Sequence, residues 1–162
     1  MIRVGQGYDV HAFEAGNGLV LGGVSIPFGQ SLKAHSDGDV LIHALCDALL
    51  GASGMGDIGR HFPDHDPRYR DISSLKLLEH VMALLVAENW QLLNGDMTII
   101  AQAPKMAAFI PAMIDTIASA LGCQSTQLNI KATTTEQLGY IGRGEGIACQ
   151  ASVLIKSRER LD

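Results

Sequence analysis

The stretch Ile2-Arg3-Val4-Gly5-Gln6-Gly7-Tyr8-Asp9-Val10-His11-Ala12 alternates weakly between apolar and polar residues and reads as a β-strand. Its side chains then point to two faces in turn, so Asp9 and His11 share one of them. Glu14 to Gly18 is a connecting turn. Leu19 to Pro27 reads as a second strand with a glycine break. The polar loop Ala34-His35-Ser36-Asp37-Gly38-Asp39 is rich in N-cap residues and opens a helix from about Asp39 to Leu50. Gly51 to Tyr69, rich in glycine and proline, reads as an irregular loop. Leu75, Leu78, Met82 and Leu85 give Ser73 to Asn89 helical spacing. Leu92 to Ala103 looks like a strand closed by Pro104, and Pro111 suits the first turn of a helix that runs to Leu121 and stops at Gly122. Leu128 to Thr134 and Ile147 to Ser157 are the last two strands, with a Gly-rich loop between them. The order β-β-α-α-β-α-β-β pairs strands at both ends. It predicts a mixed sheet with helices on one face, an α/β domain of the α+β type, rather than a doubly wound sheet. One sheet face then lacks a helical cover, and copies of the chain would bury it.

The 162 residues predict a single domain, 1–162, long enough for a proper core. Net charge is −5 and no dense Lys/Arg run occurs, which argues against a nucleic-acid partner. An anionic ligand gains nothing from that charge; its site must supply metal ions, amide dipoles or a few basic side chains. Cys46, Cys123 and Cys149 are odd in number and form no Cys-x-x-Cys pair, so reduced thiols in the cytoplasm are the expectation. The longest apolar runs are too short to span a bilayer, and no membrane partner is expected.

Asp9 and His11 on one strand face, with His43 from a nearby helix, form a three-ligand zinc-type set that leaves a fourth position open. Within Val40 to Leu50 only His43 and Asp47 are polar, and at i, i+4 they share a helix face. Two readings stand side by side. One is a satisfied core His–Asp pair; the other is a metal-ligating His43 whose second ring nitrogen is held by Asp47. The loop before the helix suits capping and also anion binding at a helix N-terminus, and His35 is the residue that capping does not explain. Lys131-Ala132-Thr133-Thr134-Thr135-Glu136, followed by Gly142-Arg143-Gly144-Glu145-Gly146, suits either plain strand propensity or a phosphate with a hard divalent cation. No P-loop pattern occurs. His61 and His65 read as solvated loop residues and His80 as a surface residue.

Gly7 to Phe13, Ala34 to Asp39, Gly56-Asp57-Ile58-Gly59 with Phe62-Pro63-Asp64, Ala101 to Met106 and Lys131 to Glu136 together resemble one family, 2-C-methyl-D-erythritol 2,4-cyclodiphosphate synthase of the non-mevalonate isoprenoid pathway. The resemblance covers nearly the whole chain. It implies a ferredoxin-like, chorismate-mutase-like arrangement and a homotrimer with sheets around a central cavity and active sites at subunit interfaces. The implied substrate is a cytidine diphosphate (CDP) derivative of methylerythritol 2-phosphate, whose 2-phosphate attacks the β-phosphorus and releases CMP. By the same resemblance Asp9, His11 and His43 hold zinc, and Glu136 serves a second divalent ion, magnesium or manganese. His35 and Thr134 match transition-state stabilisers, and Ser36 lies near the 2-phosphate. Asp57 and Gly59, around Ile58, match ribose contacts. Asp64 matches a methylerythritol contact within the substrate-binding run Phe62, Pro63, Asp64, His65 and Asp66. Ala101, Gln102, Ala103, Pro104, Lys105, Met106 and Ala107 with Thr133 match a cytidine pocket donated by a neighbouring subunit, and Thr135, Tyr140 and Arg143 match further substrate positions. Two departures stand out. Gln150 replaces an acidic residue common near the threefold axis, which bears on any isoprenoid diphosphate in the central cavity, and Ala107 replaces a larger apolar residue. The competing readings are a metal-dependent nucleotide pyrophosphatase and a non-catalytic zinc-scaffolded trimer that binds isoprenoid phosphates.

Overall fold

The structure, a computed structural model, describes residues 1–34, 36–63, 69 and 72–158. Strand β1 (Ile2–Ala15) pairs antiparallel with β7 (Gly146–Ser157) from Ile2↔Lys156 to Ala12↔Gly146. β7 pairs antiparallel with β5 (Trp90–Ile100), and β5 pairs parallel with β6 (Leu128–Thr133). The parallel pair needs a crossover, which helix α4 (Ile110–Leu121) supplies. β4 (Gln30–Leu32) completes the order β4-β1-β7-β5-β6. It pairs with Phe13 to Ala15, which is why β1 runs three residues past its expected end. The mixed sheet expected from the sequence is therefore present.

Leu19 to Pro27, read as one strand, is instead a hairpin of β2 (Leu19–Leu21) and β3 (Val24–Ile26). Its turn residues Gly22 and Gly23 have φ of 58° and 72°, the left-handed values that a two-residue hairpin loop demands. Two short helices, α2 (Ile58–His61) and α5 (Gly139–Gly142), lie in segments read as loops. Helix α3 (Ser74–Ala87) lies where the periodicity placed it.

Helix α1 (Val40–Ser53) is apolar almost all round and packs against β1 and β7 on one side and α3 on the other. Asp39 starts it. That fully buried carboxylate accepts hydrogen bonds from the Ile42 N–H at 3.1 Å, the Gly22 N–H at 2.9 Å and the Gly23 N–H at 2.7 Å. One side chain thus caps the helix and ties the β2–β3 turn to it. Gly5 and Gly7 make the helix–strand contact. A Cβ on Gly7 would overlap Ala44 O and stand 2.7 Å from Ala48 N; one on Gly5 would stand 2.7 Å from Ala52 Cβ. The Ala44, Ala48, Ala52 stripe lies directly on bare strand backbone, at a distance no larger residue pair permits.

The opposite sheet face carries Ile2, Val4, Tyr8 and Val10 in the open, Val4 at 74% exposure. Among the described residues no helix is long and apolar enough to cross a membrane.

Candidate active site

Strand alternation places Asp9 and His11 on the α1 side of β1, beside Gly7, where the close helix brings His43 to them. Asp9 Oδ2 lies 3.0 Å from His11 Nε2 and 3.1 Å from His43 Nδ1, and the two ring nitrogens are 3.4 Å apart. Two ligand atoms on one tetrahedral metal, each bonded at 2.0–2.1 Å, stand about 3.3 Å apart. The triangle therefore has the edge lengths of one face of such a site, and these three residues form a candidate metal site.

The remaining ring nitrogens explain why those atoms face inward. His11 Nδ1 is 2.9 Å from the Lys33 carbonyl, which can only accept, so this nitrogen carries a proton and Nε2 is the one that can offer a lone pair to a cation. His43 Nε2 is 2.9 Å from Ser74 Oγ and 3.4 Å from Ser36 Oγ. Without a cation the triangle holds itself together by proton sharing. Burial pushes the Asp9 carboxyl up, but its bonds to His11 and His43 outweigh this and hold it at about 2. The Asp9 bond in turn raises His11, against its own burial.

Asp47 does not take the role expected of it. Its Oδ1 accepts the Ile58 N–H at 2.8 Å and so anchors the start of α2, while the nitrogen it was expected to hold meets Ser74. Four residues make slightly more than one helical turn, and that offset carries Asp47 to the neighbouring segment. Burial raises its carboxyl, and the Ile58 bond opposes the shift.

The order Asp9–His43–Ser74 mimics a nucleophilic triad, a set the sequence did not suggest. Ser74 is fully buried, however, and its hydroxyl donates to Asp37, so it cannot reach a substrate.

Asp57 caps α2, its Oδ1 accepting the Arg60 N–H at 3.0 Å, with Ile58 and Gly59 in the first turn. Phe62 packs edge-on to Tyr69 with centroids 5.1 Å apart. His61 is not a free loop residue, since its Nε2 meets Met55 O at 2.9 Å. His80 is exposed, as expected, and its ring lies 6.1 Å from that of Phe62. His35, Asp64, His65 and Asp66 lie outside the described residues.

The second polar cluster is at the end of β6. Glu136 and Gln137 adopt φ of 52° and 65°, and the Glu136 N–H donates to Thr134 Oγ1 at 3.2 Å. The Gln137 N–H donates to Gln102 Oε1 at 3.3 Å, and the Ala101 N–H donates to Thr133 O at 3.0 Å. The Thr-rich turn and the 101–107 segment are thereby one unit, with a cis Ala103–Pro104 bond inside it. Arg143 does not join it. Its guanidinium pairs with Glu145 at 2.8 Å in the open. Tyr140 hydroxyl meets Tyr8 hydroxyl at 2.5 Å, and Tyr8 projects from the face opposite Asp9.

The register sets the distance between the two halves. Val10, Ala148, Ile100 and Thr133 lie side by side across β1, β7, β5 and β6, so both halves sit at the same end of the sheet. Three inter-strand steps of about 4.8 Å put roughly 14 Å between β1 and β6.

A sequence profile of the YgbB family matches residues 2–156. The 2-C-methyl-D-erythritol 2,4-cyclodiphosphate synthase of Cellvibrio japonicus is 59% identical over 97% of this chain and 99% of its own, and that of Thioalkalivibrio sulfidiphilus is 60% identical over 96% and 98%. Among solved structures, the bifunctional IspDF of Campylobacter jejuni superposes with a TM-score of 0.94 at 45% identity, over 98% of this chain and 43% of the longer one. The Plasmodium falciparum IspF CDP complex superposes at 0.86 and 35%, over 98% and 97%. The sheet order, the Asp9–His11–His43 triangle and these matches have one explanation: the chain belongs to the YgbB family.

Proposed function

We propose that the chain is a 2-C-methyl-D-erythritol 2,4-cyclodiphosphate synthase. Its substrate is 4-diphosphocytidyl-2-C-methyl-D-erythritol 2-phosphate. An oxygen of the 2-phosphate attacks the β-phosphorus, the bond from that phosphorus to the bridging oxygen breaks, and CMP leaves as the diphosphate ring closes. The observation that carries this reading is the convergence of three donor atoms within 3.0–3.4 Å of one another, both imidazoles already having a partner on the other nitrogen.

Zinc held by Asp9, His11 and His43, and magnesium or manganese held by Glu136, would supply charge neutralisation along the diphosphate, which an acidic protein cannot provide through net charge. The protein's own residues do the rest by alignment. Nucleophile and electrophile belong to one molecule, so a pocket that fixes the folded pose captures on the order of 7–11 kcal/mol of orientation. Ser36, 3.4 Å from His43, stands beside the metal triangle in reach of a phosphate there. Asp57 and Gly59 on α2 suit the ribose, and the 101–107 segment with Thr133 suits the cytosine. Thr134, whose hydroxyl donates to Glu136 at 3.3 Å, would turn to a phosphate oxygen once that bond is released. No protein nucleophile is needed.

Assembly into a homotrimer supports this chemistry. A separation of roughly 14 Å between β1 and β6 keeps the metal triangle and the cytidine unit of one chain apart. A neighbouring copy can bring its own cytidine unit to the triangle, and the uncovered apolar sheet face gives the copies something to bury. Tyr140, which bonds Tyr8 on the opposite face from Asp9, then belongs near that shared face, as do Arg143 and Gln150. The free cysteines suit the cytoplasm.

Phosphorus NMR of the CDP-linked substrate, with and without a chelator, tests the reading. The cyclic diphosphate and CMP are expected only without chelator. CMP accompanied by a linear phosphorylated product would instead establish a pyrophosphatase.

A further inference from the structure

Ser74 has no role in the reaction described above, yet it sits at a junction. It is fully buried at the first position of α3, and its hydroxyl lies between His43 Nε2 and the Asp37 carboxylate. Proton counting fixes the direction of this chain. When the triangle holds a cation, His43 Nδ1 offers it a lone pair, which leaves the ring proton on Nε2. That N–H donates to Ser74 Oγ at 2.9 Å, and the hydroxyl then has one proton left, which goes to Asp37 Oδ1. Asp37 is held in turn by the Ser74 N–H at 2.9 Å on Oδ2 and the Asp39 N–H at 3.1 Å on Oδ1. Every donor in the series has an acceptor, and no buried side-chain polar atom among the described residues is left without a partner.

We propose that Ser74 and Asp37 are positioning residues for the metal site, a hydroxyl–carboxylate relay that fixes the His43 tautomer and ring angle so that Nδ1 faces Asp9 and His11. The inference rests on the zinc reading of those three residues. The relay does for His43 what the Lys33 carbonyl does for His11, with one difference. A backbone carbonyl is a neutral acceptor, whereas the relay ends on a carboxylate, whose hydrogen bond from Ser74 holds the hydroxyl turned to accept the Nε2 proton. It also ties the metal triangle to the first turn of α3, whereas its other supports come from β1, the β4 edge and α1.

Ser74→Ala removes the hydroxyl and Asp37→Asn the charge, and neither replaces a ligand. Zinc affinity is measured by competition with a chromogenic chelator, alongside Asp9→Ala and far-ultraviolet circular dichroism. The expected result for Ser74→Ala is an affinity 10–100-fold below wild type with the fold intact, and a smaller loss in the same direction for Asp37→Asn. In the zinc-loaded wild type the His43 Nε2–H proton should be visible by nitrogen-15 NMR and protected from exchange; in Ser74→Ala it should exchange rapidly. Should Ser74→Ala fail to fold, Asp37→Asn and the wild-type proton signal decide the matter. Wild-type affinity in both variants, with zinc lost in Asp9→Ala, overturns the relay and leaves the metal site standing. Zinc absent from the wild type overturns both. Labelling of Ser74 by a fluorophosphonate also overturns the relay, because it would make the serine a nucleophile.

Discussion

Replacing Gly7 with alanine should dismantle the metal site without touching a ligand. The added Cβ would lie 2.7 Å from Ala48 N and closer still to Ala44 O, both backbone atoms of α1, whereas ordinary contact begins at 3.4 Å. Something must therefore retreat by at least about 0.7 Å, and no side-chain rotation relieves the clash. β1 cannot yield easily, being paired along most of its length to β7 and at its end to β4. The helix moves, and it carries His43 away from Asp9 and His11. Metal–ligand distances tolerate roughly ±0.2 Å, so such a shift takes Nδ1 out of bonding range. The overpacking itself costs about 1–3 kcal/mol. Zinc content by elemental analysis, chelator competition and a urea melt together measure both effects. Gly95→Ala in the same sheet serves as the control, because its Cβ would meet Leu128 Cδ2 at 3.3 Å, the end of a flexible side chain. Gly7→Ala should lose at least tenfold in zinc affinity and Gly95→Ala nothing. Full zinc occupancy at wild-type affinity in Gly7→Ala would refute the claim that helix–strand distance sets the triangle.

Asp9→Ala, His11→Ala and His43→Ala should each lower zinc content, and full retention in all three, by elemental analysis, would remove the assignment. Glu136→Gln should weaken the magnesium requirement or affinity with zinc unchanged; an unaltered magnesium titration counts against it. Asp39→Ala leaves the Gly22, Gly23 and Ile42 N–H groups without their acceptor in a buried place, and should cost about 3 kcal/mol or more in a urea melt. The chelated protein should also show a pH window. Asp9, depressed to about 2, contributes stability that is present above its ordinary 3.8 and lost as pH falls toward 2. His11, raised from 6.5, contributes stability present below that value and lost as pH climbs through its raised pKa. Urea midpoints of the chelated protein should therefore fall on both sides, and zinc should flatten the alkaline side. Equal midpoints across the range would contradict the proton-sharing triangle.

The metal triangle was legible because it depends on local periodicity: an i, i+2 pair on a strand and one imidazole in an otherwise apolar helix. What lay outside the sequence reading depends on distant partners. β4 is three residues long and is defined by its pairing with Phe13 to Ala15, which its own short sequence does not announce. Ser74 supports His43 from 31 positions away, and nothing in Ser73-Ser74-Leu75 distinguishes it from a helix cap. Asp47 was assigned by helical spacing, but spacing does not say which neighbouring amide a carboxylate will meet. The Leu19 to Pro27 segment failed for a simpler reason. Two adjacent glycines inside an apolar run signal a reversal as well as a break, and the reversal is what Asp39 stabilises.

The pairing of β1 with β7 has a kinetic consequence. Every rung of that ladder joins residues more than 130 positions apart, so the strand that carries Asp9 and His11 finds its main partner only by closing a very long loop. Loop-closure entropy of this kind slows folding, and the contacts that repay it come late. All three ligands lie within the first 43 residues, yet the frame that aims them is finished by residues 146 to 156. A nascent chain on the ribosome therefore displays Asp9, His11 and His43 well before it can hold a metal ion with them, and metal capture should mark the end of folding rather than its beginning.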